Sequence, residues 1–124
     1  MAERNRPSAL TDTGFQILLA LADGDRHGYE IMQTVTRSGL SRLGPATLYR
    51  TIRALQQADL IEESDQRPDP ALDDQRRRYY RLTQQGRQAA RAEIERLQHL
   101  LAIAQTTPLA APLRPGRMRP GTVG

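Results

Sequence analysis

Cysteine is absent from this 124-residue chain, which excludes disulfide bonds, thiolate metal sites and cysteine nucleophiles. Tryptophan is also absent, and phenylalanine occurs once. The two histidines, His27 and His99, are far apart in the sequence, so a transition-metal site is not expected. No pairing of a nucleophile with a base, no phosphate-binding loop and no cluster of metal ligands is visible. We therefore expect no enzymatic activity, no metal and no cofactor.

Long hydrophobic runs are missing as well. The N-terminal residues Met1–Pro7 lack the apolar core of a signal peptide. The longest apolar run, Ile17–Ala22, is far too short to span a bilayer. These absences indicate a soluble cytoplasmic protein that does not enter the membrane.

Lysine is also absent, so all 18 basic residues are arginine. They outnumber the 14 acidic residues, and the formal net charge is +4. A basic chain favours an anionic partner such as nucleic acid or an anionic membrane surface. Two explanations of the arginine content remain open: a genomic bias towards arginine codons, or selection for the paired hydrogen bonds that arginine makes with phosphate and guanine.

The residues that are present predict one small, mainly helical domain. Hydrophobic residues make up 38% of the chain, and a short chain buries a small share of its surface, so burial against a second chain is expected. Apolar periodicity and turn residues predict four helices, at 12–22, 28–37, 45–57 and 84–105. Two strand candidates, 60–64 and 78–82, flank a loop at 65–77 that is long for a hairpin.

The helix at 45–57 has the clearest pattern. Gly44 is a suitable N-cap, and Pro45 suits the first helical position because its missing N–H is no loss there. Three apolar residues recur at i, i+4 and i+7 and are expected to face the core: Leu48, Ile52 and Leu55. At roughly 100° per residue, the opposite face carries Ala46, Arg50, Arg53 and Gln57, with Thr47 and Tyr49 on the flanks. No acidic residue occurs between Glu30 and Asp59.

Helices 28–37 and 45–57, joined by a turn, form a helix-turn-helix pattern, and the strand pair that follows is expected to be a wing. The major groove of DNA admits one helix, whose outward side chains reach the base edges. This order of elements predicts a sequence-specific DNA-binding transcriptional regulator. The alternative function is a winged-helix module that contacts another protein, such as a second regulator. For Arg50 and Arg53 the alternative role is a solvated helix face.

The last helix, with Thr83 as its N-cap, carries a seam spaced like that of a coiled coil: Ala90, Ile94, Leu97, Leu101 and Ala104. We expect this seam to build a homodimer. The first helix is apolar on most sides and is expected to add Phe15 and Leu18 to the interface. The predicted organisation is a mobile N-terminus (1–9), a winged helix-turn-helix domain (10–82), a dimerisation helix (83–105) and a disordered tail rich in proline and arginine (106–124).

Several motifs together resemble the PadR family of bacterial transcriptional regulators. They are His27-Gly28-Tyr29-Glu30, Pro45-Ala46-Thr47-Leu48-Tyr49, Leu55, Leu60-Ile61, and Arg78-Tyr79-Tyr80-Arg81-Leu82-Thr83 with Gly86. The resemblance covers roughly residues 10–100 and is to the short branch with one helix after the wing. It implies a homodimeric repressor on a palindromic operator in double-stranded DNA, released by a small aromatic or drug-like effector. Asp59 stands where the family usually has glycine, so the turn into the wing is expected to differ.

The expected DNA contacts are Ala46, Thr47, Tyr49, Arg50, Arg53, Gln57, Tyr29, Arg42, Arg77, Arg78 and Tyr79. For Tyr29 and Tyr49 two roles remain open, a hydroxyl that donates to phosphate or a core ring with a wet tip. Tyr80 is expected in the core and Tyr79 beside the DNA backbone. His27 is expected to start the second helix and bond locally rather than act as a pH switch. The acidic residues around the wing loop are expected to pair with Arg76–Arg78, to point away from DNA or to limit non-specific binding.

Overall fold

The computed structural model describes residues 10–38, 42–64 and 78–113, and of residues 111–113 only the backbone. The helices are α1 (Asp12–Ala20), α2 (Gly28–Arg37), α3 (Pro45–Gln57) and α4 (Gln84–Gln105). The strands are β1 (Arg26–His27), β2 (Ile61–Glu63) and β3 (Tyr79–Leu82), and a 3-10 helix spans Pro108–Leu113. The predicted fold class, a winged helix-turn-helix followed by a long C-terminal helix, is confirmed. The chain divides within α4 into two compact units, Met1–Arg91 and Ala92–Gly124.

Three of the four α-helices begin at a residue whose side chain accepts a hydrogen bond from a free N–H group of the first turn. Thr11 Oγ1 accepts from the Gly14 N–H at 3.0 Å to start α1. His27 starts α2 with a capping box, in which its Nδ1 accepts from the Glu30 N–H and the Glu30 carboxylate accepts from the His27 N–H, both at 3.2 Å. Gly44 is the N-cap of α3, and Thr83 Oγ1 accepts from the Gly86 N–H at 2.9 Å in α4. The predicted starts of α2, α3 and α4 are confirmed.

The sheet has three strands in the order β1-β3-β2, all antiparallel. The sequence predicted only the hairpin of β2 and β3. β1 was missed because two residues show no periodicity, and they form a strand only by pairing with β3, where Arg26 lies opposite Tyr80 and His27 opposite Tyr79. The Arg26 side chain also donates to the Ala20 carbonyl at 3.0 Å. This bond helps to end α1 at Ala20, two residues earlier than predicted.

The core of the first unit lies where α1, α2 and α3 pack together against the sheet. Its largest completely buried side chains are Ile17, Leu18, Leu21, Ile31, Leu48, Ile52, Leu55 and Ile61. Tyr80 is buried as predicted, at 3% exposure.

Two residues that the sequence placed at the dimer interface lie instead in this core. Leu18 has no exposed surface, and Ala90 is 8% exposed. α1 packs its Leu18 side against α2 and α3, while the neighbouring Leu19 is 45% exposed. The apolar pattern of α1 predicted burial on most sides, but it held no information about which side faces the rest of its own chain.

The turn from α3 into β2 is a Schellman motif. The Leu60 N–H donates to the Leu55 carbonyl at 2.9 Å, and the Asp59 N–H donates to the Gln56 carbonyl at 3.0 Å. Asp59 has a φ of 63°, the left-handed conformation that glycine usually supplies at this position. Asp59, in the place of the family's usual glycine, therefore keeps the turn type. The free-energy cost is that an aspartate backbone must adopt a left-handed conformation.

The first turn of α4 lies directly on this turn. Thr83 donates its N–H to the Leu60 carbonyl at 3.1 Å and its hydroxyl to the Asp59 carbonyl at 2.5 Å. A Cβ on Gly86 would lie 1.9 Å from the Leu60 carbonyl oxygen. The glycine thus allows the close approach that joins the end of the helix-turn-helix to the start of the last helix.

The segment after α4 is not wholly irregular, contrary to the prediction of a disordered tail from residue 106. Pro108 starts a short 3-10 helix, since its fixed φ suits a first helical position. The hydroxyls of Thr106 and Thr107 donate to the carbonyls of Ile103 and Ala104, both at 2.7 Å. The expectations for residues 1–9 and 114–124 lie outside the described residues. Within the described part of the chain, no helix has both the length and the apolar content needed to cross a bilayer.

Candidate nucleic-acid interface

Helix α3 separates its side chains into the two faces that the sequence predicted. Leu48, Ile52 and Leu55 are at most 2% exposed. On the opposite face four side chains are exposed: Ala46, Arg50, Arg53 and Gln57. Arg50 donates to the Thr47 hydroxyl at 3.4 Å, and no ion pair involves Arg50 or Arg53 among the described residues. The outward face of α3 is therefore positively charged and open to a partner.

Tyr49 and Gly28 hold α3 against α2. Tyr49 is half-buried and packs against the core, and a Cβ on Gly28 would lie 2.7 Å from its hydroxyl oxygen. A side chain at position 28 would therefore require the Tyr49 ring to shift. Two motif residues that are far apart in the sequence thus meet at the joint of the helix-turn-helix, where Tyr49 has a packing role whether or not its hydroxyl also meets phosphate.

Tyr29 is 54% exposed, so the core role that was one of its two alternatives is wrong. Its ring stacks beside the His27 imidazole, with centroids 6.5 Å apart. Tyr79 packs edge-on to His27 at 5.4 Å and is half-buried rather than freely exposed. The His27 ring therefore contacts both tyrosines that the sequence assigned to DNA contact.

The wing strands pair their charges with one another. Arg81 donates to the Glu62 carboxylate at 2.9 Å across the β2–β3 ladder, where the two residues are direct partners. Arg78, a predicted DNA contact, lies 3.7 Å from the Glu63 carboxylate. The expected pairing of acidic residues with wing arginines is present at Glu63. Arg77 and the loop residues 65–76 lie outside the described residues.

The wing is tied to the helical part through its core-facing residues. Ser64 is buried at the end of β2, and its hydroxyl bonds to the Asp25 carboxylate in the turn before β1. Burial raises the pKa of the Tyr80 hydroxyl above its ordinary value, and nearby Glu63 adds to the effect. Tyr80 is accordingly a neutral core residue and does not belong to the charged surface.

An open groove of about 720 Å³ lies between the outer face of α2 and the residues that lead into α3. It is lined by Tyr29, Met32, Gln33, Thr36, Arg37, Arg42, Leu43 and Gly44. Tyr29 and Arg42 were predicted as DNA contacts, but Gln33, Thr36 and Arg37 were not. Their one signal in the sequence was that all three fall within the acid-free stretch between Glu30 and Asp59.

The second unit carries an apolar stripe along α4. The predicted seam residues Ile94, Leu97 and Leu101 are 38–56% exposed, and Leu100 and Ile103 widen the stripe at 47% and 50%. Together these positions occupy about half of the helix circumference at roughly 100° per residue. In the same unit, Glu93 is buried at 6% exposure and forms a two-pronged ion pair with Arg96.

Comparison with known proteins relates this chain to transcriptional regulators. The model of the transcriptional regulator PadR-like family matches residues 17–92, which is more than half of the chain. None of the curated protein sequences matches at a significant level.

The fold is similar to that of several solved structures. A transcriptional regulator from Clostridium thermocellum gives a TM-score of 0.61 at 23% identity, covering 77% of this chain and 89% of that chain. A PadR family transcription regulator from Clostridium difficile gives 0.65 at 22% identity, covering 77% and 97%. The adhesin competence repressor from Streptococcus pyogenes gives 0.58 at 19% identity, covering 85% and 69%. At these identities the likeness concerns the fold alone.

Proposed function

Because the chain belongs to the PadR-like family of transcriptional regulators, we propose that it binds a palindromic operator as a homodimer and represses transcription. Members of this family regulate transcription and are not enzymes. In the proposed complex each subunit places α3 in the major groove of one half-site. Such half-sites lie about 34–36 Å apart, one turn of DNA, so that a two-fold symmetric protein meets a two-fold symmetric site.

The outward face of α3 is the observation that carries the proposal. Arg50 and Arg53 are exposed, lie three residues apart and therefore point the same way. Arginine hydrogen-bonds guanine through two N–H groups in the major groove, which distinguishes that base from the others. Ala46, one turn before Arg50, is small and lets the backbone of α3 come close to the base edges.

The apolar stripe of α4 supports the homodimer. Leaving a leucine or isoleucine in water rather than burying it costs about 1.5–3 kcal/mol, and α4 exposes five such residues: Ile94, Leu97, Leu100, Leu101 and Ile103. A stripe wider than a two-residue seam suits contact with more than one helix of the partner. Leu19 of α1, in the first unit, is a further exposed apolar residue.

Removing the arginines of α3 tests the proposed base recognition. The variants Arg50→Ala and Arg53→Ala should each lose about 1–3 kcal/mol of binding to the DNA upstream of the protein's own gene, if that residue reads a base. Binding to mixed-sequence DNA should fall much less. Fluorescence anisotropy with both duplexes measures the ratio of the affinity for the upstream DNA to that for mixed-sequence DNA.

Arg87→Ala is the matched control, because Arg87 is exposed on α4 and has no ion pair in the described part of the chain. It should change the ratio of the two affinities little. Wild-type protein that bound the upstream DNA no tighter than mixed-sequence DNA would instead favour the winged-helix module that contacts another protein.

Repression, the palindrome and release by a small aromatic or drug-like effector enter the proposal from the family resemblance. A transcription assay with the protein's own promoter tests repression directly, since the purified protein should lower transcript yield. Addition of an effector should restore the yield at concentrations that also release DNA in the anisotropy assay.

A further inference from the structure

The arginines of this protein differ in whether an acidic side chain lies beside them. At the wing, Arg78, just before β3, and Arg81, in β3, each have a glutamate of β2 within ion-pair distance. Around the helix-turn-helix, Arg37 and Arg42 have no acidic partner among the described residues, and no acidic residue occurs between Glu30 and Asp59. A carboxylate beside an arginine offsets its charge and weakens its attraction for a phosphate, so the two groups of arginines are not equivalent towards DNA.

The unpaired arginines line the groove beside α2. Arg37 and Arg42 lie on its wall, the Tyr29 side chain adds a hydroxyl, and Leu43 at 5% exposure belongs to its floor. The volume of about 720 Å³ is within the range of sites that hold a whole small molecule, ~300–1,000 Å³. The groove is therefore large enough in volume for a sugar-phosphate segment.

The position of the groove matches the path of a DNA strand. Arg42, Leu43 and Gly44 lead directly into α3, so the groove opens beside the N-terminus of the helix that carries Arg50. In helix-turn-helix proteins the first helix crosses the DNA backbone while the second lies in the major groove. The N-cap of α3 is a glycine, which has no side chain to occupy the first N–H groups, and these add a positive end to the same place.

From these observations we propose that the α2 groove, through Arg37 and Arg42, is the main phosphate-binding surface of the described chain, and that the wing strands contribute little. The inference rests on the proposed DNA-binding function and deepens it. The glutamates Glu62 and Glu63 hold Arg81 and Arg78 at the wing, which limits non-specific attraction there. The groove fixes the register of the protein on the backbone, and α3 reads the bases from that register.

Salt dependence on mixed-sequence duplex DNA tests this assignment, because non-specific binding is almost wholly electrostatic. The slope of log K against log salt should fall in magnitude by about 0.9 for each phosphate contact that is lost. In the double variant Arg37→Gln/Arg42→Gln, the magnitude of this slope should therefore fall by about 1.8 for each chain bound to the DNA. The double variant Arg78→Gln/Arg81→Gln removes the same charge from the wing and should keep a slope close to that of the wild type.

Two further variants separate charge from structure. Arg37→Lys/Arg42→Lys should restore the wild-type slope, since counterion release needs a cation rather than the fork of arginine. Arg37 also lies in the last turn of α2, where a cation stabilises the helix. If circular dichroism shows that the glutamine double variant does not fold, the single variant Arg42→Gln replaces it, since Arg42 lies outside the helix. Its salt slope should fall in magnitude by about 0.9.

The proposal is overturned if folded Arg37→Gln/Arg42→Gln keeps the wild-type slope, or if the wing variant shows the larger loss. Failure of the proposed function gives a different result. In that case wild-type protein would not prefer the DNA upstream of its own gene, whereas the slopes on mixed-sequence DNA would still locate the phosphate-binding surface.

Discussion

Asp59 holds the turn between α3 and the wing in a conformation that costs an L-amino acid free energy. Its φ of 63° lies in the left-handed region, where the Cβ crowds the following carbonyl. The Schellman hydrogen bonds of Asp59 and Leu60 keep the residue there, and both Leu60 and Leu55 are buried. Aspartate tolerates this region better than most residues, so the turn forms without the glycine that the family usually has.

We expect Asp59→Gly to stabilise the protein by about 0.5–1 kcal/mol. Relief of the left-handed strain is worth about 1–2 kcal/mol, and the greater freedom of glycine in the unfolded chain offsets about 0.5–1 kcal/mol of it. Urea unfolding at a fixed chain concentration measures the difference. Asp59→Val is the opposite control, since a β-branched residue should lower the midpoint. A lower midpoint for Asp59→Gly would contradict the assignment of strain to this backbone.

At the scale of elements, the joint between the wing and α4 depends on one close contact. Gly86 lies in the first turn of α4, over the carbonyl of Leu60 at the start of the wing. Thr83 bonds to the same carbonyl at 3.1 Å. Because the Leu60 oxygen belongs to the backbone, it cannot move aside as a flexible side chain can.

Gly86→Ala should destabilise the protein by about 1–3 kcal/mol, the usual cost of overpacking. The sign of this stability change is informative. Alanine has a helix propensity about 1 kcal/mol better than that of glycine, so the same substitution at an uncrowded site would stabilise the protein. Thermal unfolding followed by circular dichroism gives the result. Gln85→Ala, the exposed neighbour in the same turn, should change the midpoint little. A higher unfolding midpoint for Gly86→Ala would show that α4 can shift away from the wing without a cost in free energy.

At the scale of the whole molecule, the single chain leaves too much apolar surface exposed in one place. The stripe of α4 includes Leu101 at 56% and Ile103 at 50% exposure. Scattered exposed apolar residues are ordinary, whereas a contiguous set marks an interaction surface. A second copy of the chain is the partner we propose for it.

The double variant Ile94→Asp/Leu101→Asp should therefore be monomeric. Burying two carboxylates at the proposed interface carries a desolvation cost that a chain of this size cannot recover. Multi-angle light scattering measures the mass. Gln98→Asp/Ala102→Asp adds the same two charges outside the stripe and should remain dimeric. A wild-type protein with the mass of one chain at micromolar concentration would rule out the proposed homodimer.

The local part of this fold was determined by the sequence itself. The bounds of α2, α3 and α4, their N-caps and the two faces of α3 all follow from capping residues and apolar periodicity, which act within one or two helical turns. For the same reason the exposed Arg50 and Arg53 were predictable as a set.

Only the tertiary structure decided the features that depend on residues distant in the chain. β1 exists because β3 lies beside it, and Leu18 is buried because α2 and α3 cover that side of α1. The pairing of Arg78 with Glu63, and the meeting of Arg37 with Arg42 in one groove, likewise depend on which segments meet. The periodicity of a segment indicates which of its side chains share a face. Packing determines which neighbour each face contacts, and therefore which arginines remain available for DNA.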